Sequence, residues 1–97
     1  MKIEILDLAE RDILDGFQFY ESQAPGLGAY FLNGIYSDIE SLRLFAGIHS
    51  KPHKNYHRLL SRRFPFAIYY TVARNTAYVH AVADCRRNPP WIMAKLK

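Results

Sequence analysis

Apolar residues recur at helical spacing through the first half of the chain. Residues 2–6 alternate between polar and apolar and predict a short strand. From Asp7 to about Gln23 the apolar positions follow a helical period, and Ala24-Pro25-Gly26 ends that helix. A second helix is predicted from Leu27 to Phe45, and the short connection predicts an antiparallel helical hairpin. The apolar face of this second helix consists of Leu27, Phe31, Ile35, Ile39 and Leu42.

The hydrophobic period changes to two after a polar, basic loop at residues 46–55. Strands are predicted at residues 56–61, 64–72 and 77–84, separated by tight turns at Arg62-Arg63 and Arg74-Asn75. Pro89-Pro90 interrupts this regularity, and residues 91–97 are expected to form a last helical turn. The alternation on the last strand places Val79, Ala81 and Ala83 on one face and Tyr78, His80 and Val82 on the other.

The order of elements, β-α-α-β-β-β, defines an α+β fold. An N-terminal strand and a two-helix antiparallel hairpin are followed by a small, mostly antiparallel β-sheet on which the helices pack. We expect the other face of the sheet to be open to solvent or to a partner. The length of 97 residues fits a single domain spanning residues 1–97.

Composition narrows the class of protein further. A single cysteine, Cys85, excludes an intrachain disulfide framework and a zinc site built on several thiolates. The first eight residues include two carboxylates and lack the apolar stretch of a signal peptide, and no later segment is apolar enough to span a membrane. We therefore expect a small cytoplasmic protein with no membrane association.

Charge is distributed unevenly along the chain. Residues 1–49 carry three basic and eight acidic side chains, a net charge of −5, whereas residues 50–97 carry ten basic side chains and Asp84 alone, a net charge of +9. Such polarity favours a basic surface that meets something acidic, such as nucleic acid, an acidic protein or an anionic surface.

No residue pattern points to a cofactor or a metal. His49, His53 and His57 are four positions apart, but Pro52 argues against a helix that would align them, so we expect exposed loop histidines and no metal. Cys85 precedes two arginines that could lower its pKa, yet no pairing pattern of a cysteine hydrolase accompanies it. Glycine-rich phosphate loops and nucleophile elbows are absent from the sequence.

The sequence does contain a basic and aromatic cluster. Arg58 and Arg62 fall at even spacing on one predicted strand, and Arg86 and Arg87 follow the last strand just before Trp91. Arginines beside aromatic rings suit contacts with phosphates or bases, and they equally suit a protein interface. These five residues are the candidate target- or partner-binding set.

Taken in order, several short motifs resemble the RelE/ParE superfamily of toxins from bacterial toxin–antitoxin operons. The resemblance covers nearly the whole chain and implies a fold in which a helical hairpin packs on a small antiparallel sheet. The motifs are Phe19-Tyr20-Glu21, Pro25-Gly26-Leu27-Gly28 with Phe31, Pro52, Arg58, Phe64-Pro65-Phe66-Ala67-Ile68-Tyr69-Tyr70, Ala81-Val82-Ala83 and Arg86-Arg87-Asn88-Pro89 before Trp91.

The resemblance implies the toxin of a type II toxin–antitoxin module of the plasmid-stabilisation kind, neutralised by a cognate antitoxin in a hetero-oligomer. ParE-like members inhibit growth by poisoning DNA gyrase, whereas RelE-like members are ribosome-dependent mRNA endoribonucleases. An inactive relative kept as a binding or regulatory module is a third alternative.

Particular positions favour the ParE-like branch. Aligning the resemblance on Tyr70 puts Ala67 where RelE-like nucleases carry an arginine, and Ile92 falls where they carry a tyrosine. Only Arg58 and Arg86 are left as candidate catalytic residues of a nuclease. The resemblance therefore implies a toxin that acts by binding and needs no cofactor.

Overall fold

The computed structural model describes residues 1–96, so Lys97 of the expected last turn lies outside the described residues. The N-terminal strand β1 (Lys2–Ile5) leads into α1 (Asp7–Gln23), α2 (Leu27–Glu40) and a short α3 (Leu42–Phe45). The strands β2 (His57–Leu60), β3 (Phe66–Ala73) and β4 (Thr76–Asp84) follow, and α4 (Pro89–Lys95) ends the described chain. The α+β fold and the β-α-α-β-β-β order are as predicted, except that α3 is a separate short helix and α4 begins at Pro89.

The four strands form one sheet in the order β1-β4-β3-β2. β4 pairs antiparallel with β3, β3 pairs antiparallel with β2, and β1 joins the other edge parallel to β4. The β3–β4 hairpin turns at Arg74 and Asn75, whose φ angles of 52° and 56° give the left-handed turn that matches the twist of the strands. The sheet is therefore mostly antiparallel, as expected.

The helical hairpin begins as predicted but ends differently. Gly26 takes a positive φ of 88°, and the Glu21 carboxylate accepts hydrogen bonds from the backbone N–H groups of Gly26 and Gly28. The prediction of one helix from Leu27 to Phe45 is wrong, because Ser41 divides α2 from α3. The Ser41 hydroxyl donates to the carbonyl oxygen of Asp38 at 2.6 Å, a local bond that competes with regular helical bonding.

Two helices approach closely because each has a glycine at the crossing. A Cβ on Gly16 would lie 2.4 Å from Cζ of Phe31, and one on Gly28 would lie 2.7 Å from Cε1 of Phe17. Phe31 is fully buried in an aromatic cluster with Tyr20, Phe64 and Phe66. The centroid of its ring lies 5.0–5.2 Å from the centroids of these three rings, and the Tyr20 and Phe64 centroids are 5.0 Å apart. The Phe31 ring consequently has little room to move.

We expect Gly16→Ala to lower the free energy of unfolding by about 1–2 kcal/mol, because overpacking outweighs the better helix propensity of alanine. Chemical denaturation measures this difference. Gln18→Ala, at an exposed position of the same helix, is the control and should leave stability nearly unchanged. Equal stability of the two variants would contradict the close packing.

Both faces of the sheet are covered, contrary to the expectation of an open face. The hairpin packs on one face over a core that includes Ile35, Ile68 and Val79. On the other face, Ile92 of α4 and Leu96 just after it bury Tyr69 and the small side chains Ala67, Ala81 and Ala83. Asp12 of α1 ties these layers together, because its carboxylate accepts from the Val82 N–H at 2.9 Å and from Nζ of Lys95 at 2.5 Å.

The predicted alternation on β4 fails beyond Val79 because of a bulge. Tyr70 pairs with Val79 and Tyr69 with Ala81, so His80 is an extra residue without an opposite partner in the ladder. Val82 thereby joins Val79 on the helical side, and Ala81 turns to the α4 side.

Within residues 1–96, no helix combines the length and hydropathy that crossing a lipid bilayer requires.

Candidate functional site

The C-terminal basic segment is organised by the start of α4. The Asn88 side chain accepts a hydrogen bond from the Trp91 N–H at 2.9 Å, and two prolines occupy the first turn, where no donor is needed. This cap fixes Trp91 on the outer side of the helix, 41% exposed. The Arg87 guanidinium lies 4.8 Å from the centre of the indole ring, and Nζ of Lys95 lies 5.0 Å from it.

Arg86 and Arg87 differ in how much positive charge they can offer a ligand. Arg86 forms a two-pronged ion pair with Asp84, through Nε at 2.9 Å and Nη2 at 2.7 Å. The hydrogen bonds from this guanidinium hold the pKa of Asp84 below its usual range. Arg87 forms no ion pair with any of residues 1–96, so its charge is available for a partner.

A groove of about 320 Å³ separates this segment from α1. Gly16 and Phe19 lie on the α1 side, and Arg86, Arg87 and Trp91 lie on the other. Phe19 is half exposed, so the groove offers two aromatic surfaces beside a free guanidinium. Asp12, Asp15 and Asp84 also line the groove, where Asp12 pairs with Lys95 and Asp84 with Arg86. We call Phe19, Arg87, Trp91 and Lys95 the aromatic–basic groove; its exposed aromatic rings beside the Arg87 guanidinium suit a partner that presents apolar side chains.

Arg58 and Arg62 do not share a strand face, contrary to expectation. Arg62 lies beyond β2 and reaches α2, where Nε is 3.2 Å from Oδ1 of the buried Asp38 and Nη2 is 3.3 Å from the Ser37 hydroxyl. Arg58 lies within β2, opposite Tyr69. The structure therefore brings Arg86, Arg87 and Trp91 together and places Arg62 on the helical side of the sheet.

Cys85 lacks the activation that its arginine neighbours suggested. Partial burial raises the pKa of the thiol and Asp84 raises it further, while Arg58 lowers it only in part. A thiol held protonated at neutral pH is a poor nucleophile, so the structure gives no support for a cysteine-based reaction.

The prediction that His49, His53 and His57 are exposed is wrong, because His57 is buried and His49 and His53 are only partly exposed. His57 is buried, stacks on Tyr70 with ring centroids 4.9 Å apart, and donates from Nδ1 to the carbonyl oxygen of His49 at 2.7 Å. His49 is half buried, and its Nδ1 bonds the Tyr70 hydroxyl. No group of three or more His, Cys, Asp or Glu side chains within residues 1–96 could hold a metal ion.

Two histidines, His49 and His80, make the stability of the fold depend on pH. Burial lowers the pKa of His49 and of His80 below the ordinary 6.5, and the nearby His57 lowers that of His49 further. The unfolded chain then binds protons more readily, so the stabilisation is complete above about pH 6.5 and declines as the pH falls below that value.

The melting temperature should accordingly be lower at about pH 5.5 than at about pH 7.5. The pKa of Asp84 lies below its ordinary 3.8 and does not contribute in this range. His49→Gln/His80→Gln should flatten the dependence, and a melting temperature equal at both pH values would contradict the argument.

Comparison with known proteins supports the fold. No protein-family model and no curated protein sequence matches the chain. Among solved structures, a chain of the chromosomal ParDE TA system from P. aeruginosa matches with a TM-score of 0.80 and 15% sequence identity. The match covers 87% of this chain and 95% of that chain. This likeness confirms the small α+β fold that the RelE/ParE resemblance implied.

Proposed function

We propose that this protein is the toxin of a type II toxin–antitoxin system and that it inhibits growth by binding a protein target, for which DNA gyrase is the leading candidate. The observation that carries the proposal is the similarity of nearly the whole fold to a chain of a ParDE TA system. The RelE/ParE motifs point in the same direction. A cognate antitoxin is the second partner that this function requires.

Binding is favoured over RNA cleavage by the environment of two residues. Ala67 and Ile92 stand where the RelE resemblance would put an arginine and a tyrosine, and both are packed in the apolar cluster between the sheet and α4. A group at either position would not face a substrate. Arg86, one of the two remaining nuclease candidates, is held by Asp84, whose carboxylate would repel a phosphate.

The aromatic–basic groove is the surface that we assign to the target. Its Arg87 and Trp91, stacked on each other, are residue types that dominate the energetics of protein interfaces, and Phe19 is of a type enriched there. Arg58 and Arg62, which also belonged to the candidate set, lie outside it.

Induced expression with and without the product of the adjacent small gene tests the function. We expect growth arrest that this product relieves, co-purification of the two proteins, and inhibition of gyrase supercoiling by the purified protein. If growth stops while supercoiling is unaffected, the target is not gyrase. Discrete codon-linked cuts in mRNA with purified protein and ribosomes would instead support the RelE-like alternative.

A further inference from the structure

The segment that follows α2 exposes large apolar side chains on α3 and on the loop after it. Leu44 is 83% exposed, Ile48 73% and Phe45 50%. We call these three residues the apolar tip. Isolated exposed apolar residues are ordinary on protein surfaces, but three within five positions concentrate apolar surface in one short segment, as binding sites do.

The apolar tip is held in place from the protein core by polar bonds. The hydroxyl of the fully buried Tyr70 accepts the Gly47 N–H at 3.0 Å and bonds Nδ1 of His49. His57 stacks on the Tyr70 ring and bonds the His49 carbonyl oxygen, so both sides of the loop are anchored. Just beyond, the Ser50 carbonyl oxygen accepts the Arg58 N–H at 2.9 Å.

This anchoring explains why the apolar side chains stay outside. Gly47 takes a positive φ of 98°, which turns the chain directly after Phe45 and Ala46. The loop is thus fixed by hydrogen bonds to Tyr70 and by the packing of Ala46 on the core, while Leu44, Phe45 and Ile48 remain exposed. A surface ordered before binding loses less conformational entropy when a partner docks.

The surroundings of the apolar tip are basic. No acidic residue occurs in the sequence between Glu40 and Asp84, and Lys51 and Lys54 are exposed just after the tip. Arg43 is already paired with Glu40. A complementary partner therefore presents apolar side chains with carboxylates beside them.

We propose that the apolar tip is a docking site for an acidic, amphipathic segment of the antitoxin, separate from the aromatic–basic groove. This inference rests on the proposed function. A fixed arrangement of side chains suits the shaped apolar face of a protein segment, whereas a fluid anionic lipid surface does not require one.

The test measures the affinity of purified protein for the product of the adjacent small gene by calorimetry. Leu44→Ser/Ile48→Ser should weaken binding by about tenfold or more, because it removes two exposed apolar side chains that would contact the partner. Leu8→Ser is the matched control, because this leucine is 57% exposed on α1 and does not line the groove between α1 and α2. Its affinity should equal that of the parent.

Tyr70→Phe provides a second variant that leaves the apolar tip unchanged. It retains the ring beside His57 but removes the hydroxyl that fixes Gly47 and His49. We expect faster hydrogen exchange at the Gly47 amide and weaker binding, with melting used to confirm that the domain is folded.

The outcomes separate this inference from the proposed function. If the parent protein binds the adjacent gene product, and Leu44→Ser/Ile48→Ser and Tyr70→Phe both bind it as tightly as the parent, the proposed docking site is wrong and the proposed function stands. If the parent binds no such product, the proposed function and the docking site fall together. Tip-dependent flotation with vesicles of phosphatidylglycerol and phosphatidylcholine, without tip-dependent protein binding, would replace the antitoxin by a lipid surface.

Discussion

Ile92→Ala combined with Leu96→Ala should lower the free energy of unfolding by about 4 kcal/mol or more, because removing a buried Leu or Ile side chain costs about 2–5 kcal/mol. Both side chains are almost fully buried against the second face of the sheet. The expected loss is a large part of the stability of a small domain, which is about 5–15 kcal/mol in total. Denaturant titration followed by circular dichroism measures it.

Removal of residues 89–97 should have a similar consequence. It would uncover Tyr69 and three alanines of the sheet and would also leave Asp12 without Lys95. Loss of growth arrest in such a truncation would therefore report unfolding and not the loss of a contact surface.

Trp91→Ala is the matched control for these variants. It removes a larger side chain from the same helix, but this side chain is 41% exposed. The free energy of unfolding should therefore fall by only about 1 kcal/mol, from lost cation–π and packing contacts. A double variant that unfolds at the same denaturant concentration as Trp91→Ala would show that α4 does not contribute to the core.

The sheet face was expected to be open because Pro89-Pro90 can either end regular structure or begin a helix, and the first interpretation was chosen. After a strand, Pro89-Pro90 indicates the end of regular structure. Proline is nevertheless well tolerated in the first turn of a helix, because the backbone N–H groups there have no intrahelical acceptor and proline lacks this group. Asn88 before them is a strong N-cap residue. The hairpin and the β3–β4 turn were predictable because their signals are local: helical spacing, Pro25-Gly26 and Arg74-Asn75.

Contacts between residues distant in sequence account for what sequence reasoning missed at the site. Nothing near Arg62 indicates that it pairs with Asp38, 24 positions away, and the bulge at His80 cannot be read from an alternating strand. Arg86, Arg87 and Trp91 belonged to the candidate set predicted from sequence, and the structure brings these three to one groove. Lys95 was missed although it lies four positions after Trp91, a helical spacing that becomes informative only once α4 is assigned.

Arg87→Ala should weaken target binding ten- to a hundredfold, because a charge-assisted contact contributes about 1.5–3 kcal/mol. Arg86→Ala should have a smaller effect, since the charge of Arg86 is already compensated by Asp84. Both side chains are exposed, so neither substitution should change the melting temperature substantially. The readouts are induced growth arrest and inhibition of gyrase supercoiling, measured in parallel over a range of protein concentrations.

Arg63→Ala is the matched control for Arg87→Ala. Arg63 is also exposed and also lies over an aromatic ring, 5.3 Å from the centre of Tyr30, but it is not part of the aromatic–basic groove. If target binding depended only on the overall positive charge of the surface, both variants would bind equally weakly. If it depends on a specific contact at the groove, only Arg87→Ala should bind more weakly. Full growth arrest by an Arg87→Ala protein that melts like the parent would mean that the C-terminal arginines are only solvated, and the target surface would have to lie elsewhere.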